Sequence, residues 1–120
     1  MDSKFYVSYD AARLLKEKGY DRECISYYHD NCREVDYSFC GERNSTWEER
    51  CVSAPTKAEA IDWLESKGII IEVLQDYRGL WFCVIKISET ESYVSESDDK
   101  YFPTRLEAED AAIIKALEQL

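Results

Sequence analysis

Two runs of β-forming residues, Ile69 to Leu74 and Leu80 to Ile87, flank the segment Gln75-Asp76-Tyr77-Arg78-Gly79. This feature constrains the fold more than any other. Each run is too short for a core helix, is rich in β-branched and aromatic residues, and ends at turn-forming chemistry, so the pair reads as an antiparallel hairpin. The first run is apolar at every position except Glu72, and the second carries only Lys86. Strands apolar on both faces belong at the centre of a sheet, with something packed on each side or across a subunit interface.

The remaining elements follow from capping and periodicity. Ser8-Tyr9-Asp10 opens a helix over about 9 to 18, with Ala11, Leu14, Leu15 and Lys18 at helical spacing and Gly19-Tyr20 ending it. Cys24 to Tyr28 and Val35 to Phe39 read as strands joined through His29-Asp30-Asn31, and Gly41 to Arg50 as a polar loop carrying Trp47. A second helix starts at Pro55-Thr56-Lys57-Ala58-Glu59, where Thr56 and Glu59 form a capping box; Ala60, Ile61 and Leu64, with Trp63 beside them, form its inward stripe, and Gly68 ends it. Tyr93 and Val94 suffice for a further short strand. A last helix starts at Pro103-Thr104-Arg105-Leu106-Glu107 and runs to Leu120, with Ala111, Ile114 and Leu117 inward. The two Pro-Thr-x-x-Glu starts lie 48 residues apart. Convergence on good caps explains them more simply than duplication, and they are not ligand motifs. The expected architecture is α+β, three helices on an antiparallel sheet of four to five strands, in a single globular domain over residues 1–120.

Charge narrows the function. The 120-residue chain carries 15 basic and 25 acidic residues, a net charge of -10, which argues against direct nucleic-acid binding, since that needs clustered Lys and Arg. From Ser88 to Asp99 the acids Glu89, Glu91, Glu96, Asp98 and Asp99 have no basic residue among them, and they are the first candidates for binding a protein partner. No basic region leads into a long apolar stretch at the start, and the longest apolar run, Leu80 to Ile85, is far short of a membrane span. A cytoplasmic protein with no membrane association is expected.

Five cysteines, Cys24, Cys32, Cys40, Cys51 and Cys83, are expected to be reduced thiols acting as small apolar residues. The set nearest to a zinc site is Cys24, His29, Cys32 and Cys40. It lacks the close Cys pair that structural zinc sites use, so neither a metal nor any other cofactor is expected. Catalytic templates are also missing: the four glycines are isolated, and the single histidine, His29, sits in a turn. No catalytic residue is assigned. Tyr27, Tyr28, Tyr37 and Trp47 are secondary aromatic candidates, for which a core or protein-interface role outweighs base stacking because the segment has no basic rim.

The segments Phe5-Tyr6-Val7-Ser8-Tyr9-Asp10-Ala11-Ala12, Lys16-Glu17-Lys18-Gly19-Tyr20, Cys24 to Tyr28, Ala54-Pro55-Thr56 with Ile61-Asp62-Trp63-Leu64, and the Ala-rich last helix are similar to a group of short uncharacterised proteins. These belong to gut Bacteroidetes bacteria and their phages or prophages. The resemblance implies a bacterial or phage-derived intracellular protein and transfers no catalytic residue. The expected function is a non-enzymatic protein-interaction module, with a homodimer as one form of it. An acidic inhibitor that mimics nucleic acid is the first alternative, and a small metal-dependent protein or enzyme the second.

Overall fold

In a computed structural model, residues 5–29, 33–47, 51–87, 92–95 and 101–120 are described. The chain forms two compact units, Met1–Thr56 and Lys57–Leu120. Both combine helix with antiparallel sheet, so the class is α+β.

The first unit contains α1 (Tyr9–Glu17), β1 (Cys24–His29), β2 (Asp36–Glu42) and β3 (Cys51–Ser53), with strand order β2-β1-β3. The Ser8 hydroxyl accepts from the Ala11 N–H at 3.2 Å, which caps α1 as its sequence predicts. At the other end Gly19, at φ +96°, takes the left-handed turn that lets the Tyr20 N–H donate back to the Leu15 carbonyl. Ala11, Ala12 and Leu15 of α1 are buried with Val7, Tyr20 and Tyr28. Tyr28 donates its hydroxyl to the Val7 carbonyl at 2.6 Å, tying β1 to the strand-like segment that enters α1. The expected polar loop starts later than Gly41, because β2 continues to Glu42.

The second unit contains α2 (Lys57–Ser66), β4 (Ile69–Gln75), β5 (Trp81–Ile87), β6 (Ser92–Ser95) and α3 (Arg105–Glu118), with strand order β4-β5-β6. The hairpin is in the expected register, pairing Ile69 with Ile87 and Gln75 with Trp81. Thr104 caps α3 by accepting from the Glu107 N–H at 3.2 Å. The buried stripe of α3 is Ala108, Ala112, Ile113, Ala116 and Leu117, one position away from the expected Ala111 and Ile114. In α2, Trp63 is buried in the core stripe and Ile61 is only half-buried.

Among the described residues the strands therefore form two three-stranded sheets instead of one sheet of four to five. β3 takes one edge of β1 as β2 takes the other, so β1 is the centre of a sheet of its own and its two edges are no longer open to the hairpin. No helix among the described residues is long and apolar enough to cross a membrane.

Candidate interaction surface

Alternation along β4 and β5 sorts their side chains onto two faces. One face holds Ile69, Ile71, Val73, Cys83 and Ile85, and α2 and α3 cover it; Cys83 and Ile85 are completely buried. The other face holds Ile70, Glu72 and Leu74 from β4 and Phe82, Val84 and Lys86 from β5. None of these six is buried: Ile70 is 37% exposed and Leu74 44%, while Phe82, Val84 and Lys86 are half-buried. Of the expectation that something packs on each side of the hairpin or across a subunit interface, the described residues supply the helices on one side. β5 is central, whereas β4 is an edge strand of its sheet.

The β4–β5 turn extends the open face. Its backbone is held by Asp76, whose carboxylate accepts from the N–H groups of Arg78 at 2.9 Å and Leu80 at 3.1 Å. The second oxygen takes the Arg78 guanidinium at 2.8 Å. Desolvation opposes the charge on Asp76, but these donors outweigh it and hold the carboxyl below the usual carboxylate range. Gly79, at φ +82°, supplies the left-handed residue that closes the turn. Arg78 is thereby fixed over the Tyr101 ring, 4.6 Å from its centroid, and lies 5.9 Å from that of Tyr77. Tyr101 meets Phe82 edge to face at 6.0 Å. Tyr77 is 96% exposed and Tyr101 39%. The result is a patch running from Ile70 and Val84 through Leu74 and Phe82 to Tyr101, Arg78 and Tyr77, with Lys86 Nζ and Glu72 Oε1 paired across it at 2.7 Å.

The sequence-derived candidates fall elsewhere. Glu89, Glu91, Glu96, Asp98 and Asp99 lie outside the described residues; β6 occupies the middle of that run, so two of the acids precede a strand and three follow it. Tyr27 and Tyr28 are consecutive in β1 and project to opposite faces of its sheet. Tyr27 packs against Trp47, with ring centroids 4.6 Å apart, and Trp47 donates its indole N–H to the Ser53 hydroxyl at 2.6 Å. Tyr28 is buried against Tyr9, and Tyr37 meets Tyr6 edge to face. The four aromatics are thus split into separate contacts and form no common platform. Burial, and then the Asp36 carboxylate beside it, push the Tyr27 phenol above its ordinary pKa.

His29, expected in a turn, is instead the last residue of β1, where its pairing with Cys51 continues the ladder, and strand alternation separates it from Cys24. Cys24 is buried, with its thiol on the Ser26 carbonyl at 3.3 Å, while His29 is exposed on the opposite face. Those two residues cannot share one tetrahedral ion. Cys32 lies outside the described residues, and Cys24, Cys51 and Cys83 are buried thiols. Among the described residues no three His, Cys, Asp or Glu side chains gather as metal ligands.

An open depression of about 390 Å³ in the first unit is lined by Lys16, Gly19, Tyr20, Asp21, Asn44 and Ser45. Its polar groups serve the fold. The Asp21 carboxylate accepts from the Ser45 N–H and hydroxyl, and Lys16 donates to the Cys51 carbonyl at 3.2 Å. Asn44 donates to the Tyr20 carbonyl and accepts from the Ser53 N–H, which anchors the loop to β3.

Sequence reasoning missed Ile70, Leu74, Tyr77, Arg78, Phe82 and Tyr101 as surface residues. One signal was present: Glu72 and Lys86, the only charged residues of the two strands, fall on the same face once the hairpin register is drawn. Comparison with protein-family models, with curated proteins and with solved structures finds no match for this chain.

Proposed function

We propose that the chain is a non-enzymatic protein-interaction module that binds a protein through the open face of β4 and β5 and the turn joining them. One observation carries this reading: an aliphatic and aromatic face, with Leu74 44% and Tyr77 96% exposed, ends on an arginine already oriented by Asp76 and Tyr101. Tyr, Phe and Arg are the residue types enriched at protein interfaces, and Tyr and Arg are also the commonest energetic anchors. Ordering Arg78 before binding lowers the entropy that association must offset. Part-exposed apolar side chains gathered on one face, Ile70 and Leu74 above all, support this reading, since contiguous exposed apolar surface is a feature of interaction sites.

The reading is tested by immobilising the wild-type chain and a Leu74→Asp/Tyr77→Ala variant and comparing the proteins each retains from its native cells. A protein held by the wild type and lost by an equally stable variant supports the proposal. Identical retained sets refute it.

A further inference from the structure

Resting on that reading, we infer that the partner joins the second unit through an extended segment, apolar and basic at alternate residues, that adds antiparallel to the outer edge of β4. Register and hydrogen bonding define that edge. Trp81 exchanges both of its main-chain bonds with Phe102, at 2.8 Å each, on the side of β5 away from β4. Main-chain groups of successive strand residues point to opposite edges, so those of Phe82, Val84 and Lys86 turn toward β4 and meet Leu74, Glu72 and Ile70. The Asp76 N–H, which donates to the Leu80 carbonyl at 2.8 Å, fits the same alternation. Ile71, Val73 and Gln75 therefore aim their N–H and C=O groups outward, and among the described residues no strand lies on that side.

β4 also lacks the devices that close most sheet edges. Its 7 residues pair with β5 without a register shift, include no Pro or Gly, and carry one charge, Glu72. Solvent reaches this edge, since Ile71 and Val73 are half-buried and Gln75 is exposed. A strand that presents unpaired main-chain groups in this way is a template for an added strand, with main-chain bonds supplying affinity and alternate side chains supplying specificity.

The composition of the segment follows from what its side chains would meet. Residues placed opposite Ile70 and Leu74 continue the open face beside two part-exposed aliphatic side chains, where apolar groups fit. The intervening residues fall on the side of α2, which packs on β4 and exposes Glu59, Asp62 and Glu65. On a chain of net charge -10, that side favours Lys or Arg. In an antiparallel pair these basic residues exchange main-chain bonds with Ile71, Val73 and Gln75, whereas the N–H groups of the apolar residues point away from β4.

The probe is the peptide acetyl-Val-Lys-Val-Lys-Val-Lys-Val-amide, titrated into the isotope-labelled full chain under reducing conditions and followed by amide hydrogen exchange in NMR spectra. In the free chain the amides of Ile70, Glu72 and Leu74 should be protected and those of Ile71, Val73 and Gln75 open. Saturating peptide should protect the second set. Methylating the Lys main-chain nitrogens removes the donors that face β4 and should weaken binding more than about tenfold, whereas methylating the Val nitrogens should leave it nearly unchanged. Exchanging Lys for Glu in the peptide should also weaken it, and salt should narrow that difference. Val73→Pro removes one outward N–H and no ladder bond, a change that edge strands accept, and should abolish binding by a folded chain. The methylated peptides make the same test on the unaltered chain. Absence of protection by the Val-Lys peptide, equal binding of its two methylated forms, or tighter binding of the Val-Glu form would each overturn the inference. Protection of Ile71, Val73 and Gln75 that rises with chain concentration without peptide would assign the edge to a second copy and overturn it too. If the peptide fails while a protein from the native cells still depends on Leu74 and Tyr77, strand addition is refuted and the interaction module stands. If that dependence is also missing, both fail.

Discussion

Val84 and Ile85 are consecutive in β5 and differ in one respect that the interaction surface requires: Ile85 is completely buried under α3, and Val84 is half-buried on the open face. Truncating each to Ala measures that sidedness. Ile85→Ala deletes three carbons from a closed core; at about 0.8 kcal/mol per buried methylene plus a cavity term, the loss is about 3 to 4 kcal/mol. Val84→Ala deletes two carbons from a surface that water already reaches on one side, so no cavity forms and the loss is about 0.5 to 1 kcal/mol. Against a total stability of about 5 to 15 kcal/mol, the first change is severe and the second minor. Urea unfolding should be followed by fluorescence at about 1 μM protein, low enough to keep any weak dimer dissociated. Trp63 and Trp81 both lie in the unit under test. With a slope of about 1 to 3 kcal/mol/M, the Ile85→Ala midpoint should fall by at least about 1 M and the Val84→Ala midpoint by well under half of that shift. If the two midpoints fall equally at unchanged slope, the second face is covered as fully as the first, and the open surface does not exist.

Other consequences are testable in the same way. Asn44→Ala should destabilise the first unit by about 1 to 3 kcal/mol, because the buried Ser53 N–H loses its acceptor and β3 loses its anchor to the loop; thermal unfolding reads this directly. The Tyr27 phenol titrates above its ordinary pKa, so its stabilising contribution is complete below the ordinary phenol range and is lost as pH rises through the folded value. Tyr27→Phe should remove that part of the alkaline loss, seen by ultraviolet difference absorbance and by melting above pH 10. Asp76 has the opposite sign: its carboxyl is held low, so its contribution is complete above the usual carboxylate range and is lost as pH falls through the folded value. Asp76→Ala should flatten that acid limb and weaken the order of Arg78, detectable as loss of the Tyr101 ring-current shift on the Arg78 side-chain resonances.

How much of this was legible in the sequence depends on the range of the interaction that decides each feature. The hairpin, the caps at Ser8 and Thr104 and the α+β class follow from local chemistry, and the structure contains them. β3 does not follow locally: Cys51–Ser53 is a strand because Tyr27 and Tyr28, more than twenty residues earlier, pair with Ser53 and Val52. The stripe on α3 is ambiguous for a related reason. The helix is rich in alanine, and either of two neighbouring stripes presents a small apolar surface, so its packing on β4, β5 and α2 makes the choice. By contrast, the separation of Tyr27 from Tyr28 was available from the two-residue period of a strand alone, whereas that of Cys24 from His29 needed the strand to run one residue further than the turn chemistry of His29-Asp30-Asn31 suggests.

The open face turns on a matter of supply that no local pattern contains. Three helices suffice for both sides of one sheet, and a hairpin apolar on both faces would then lie between layers. Here α1 is spent on the first unit, which leaves α2 and α3 for the second, and both of these pack on the same side of β4. Ile70, Leu74, Phe82 and Val84 then lie on the side that neither helix covers. Glu72 and Lys86 pair among them at 2.7 Å. A face composed in this way is expected to bind a partner, and the sign of the salt dependence reads that partner's charge: weakening with salt indicates a basic partner, and strengthening an acidic one.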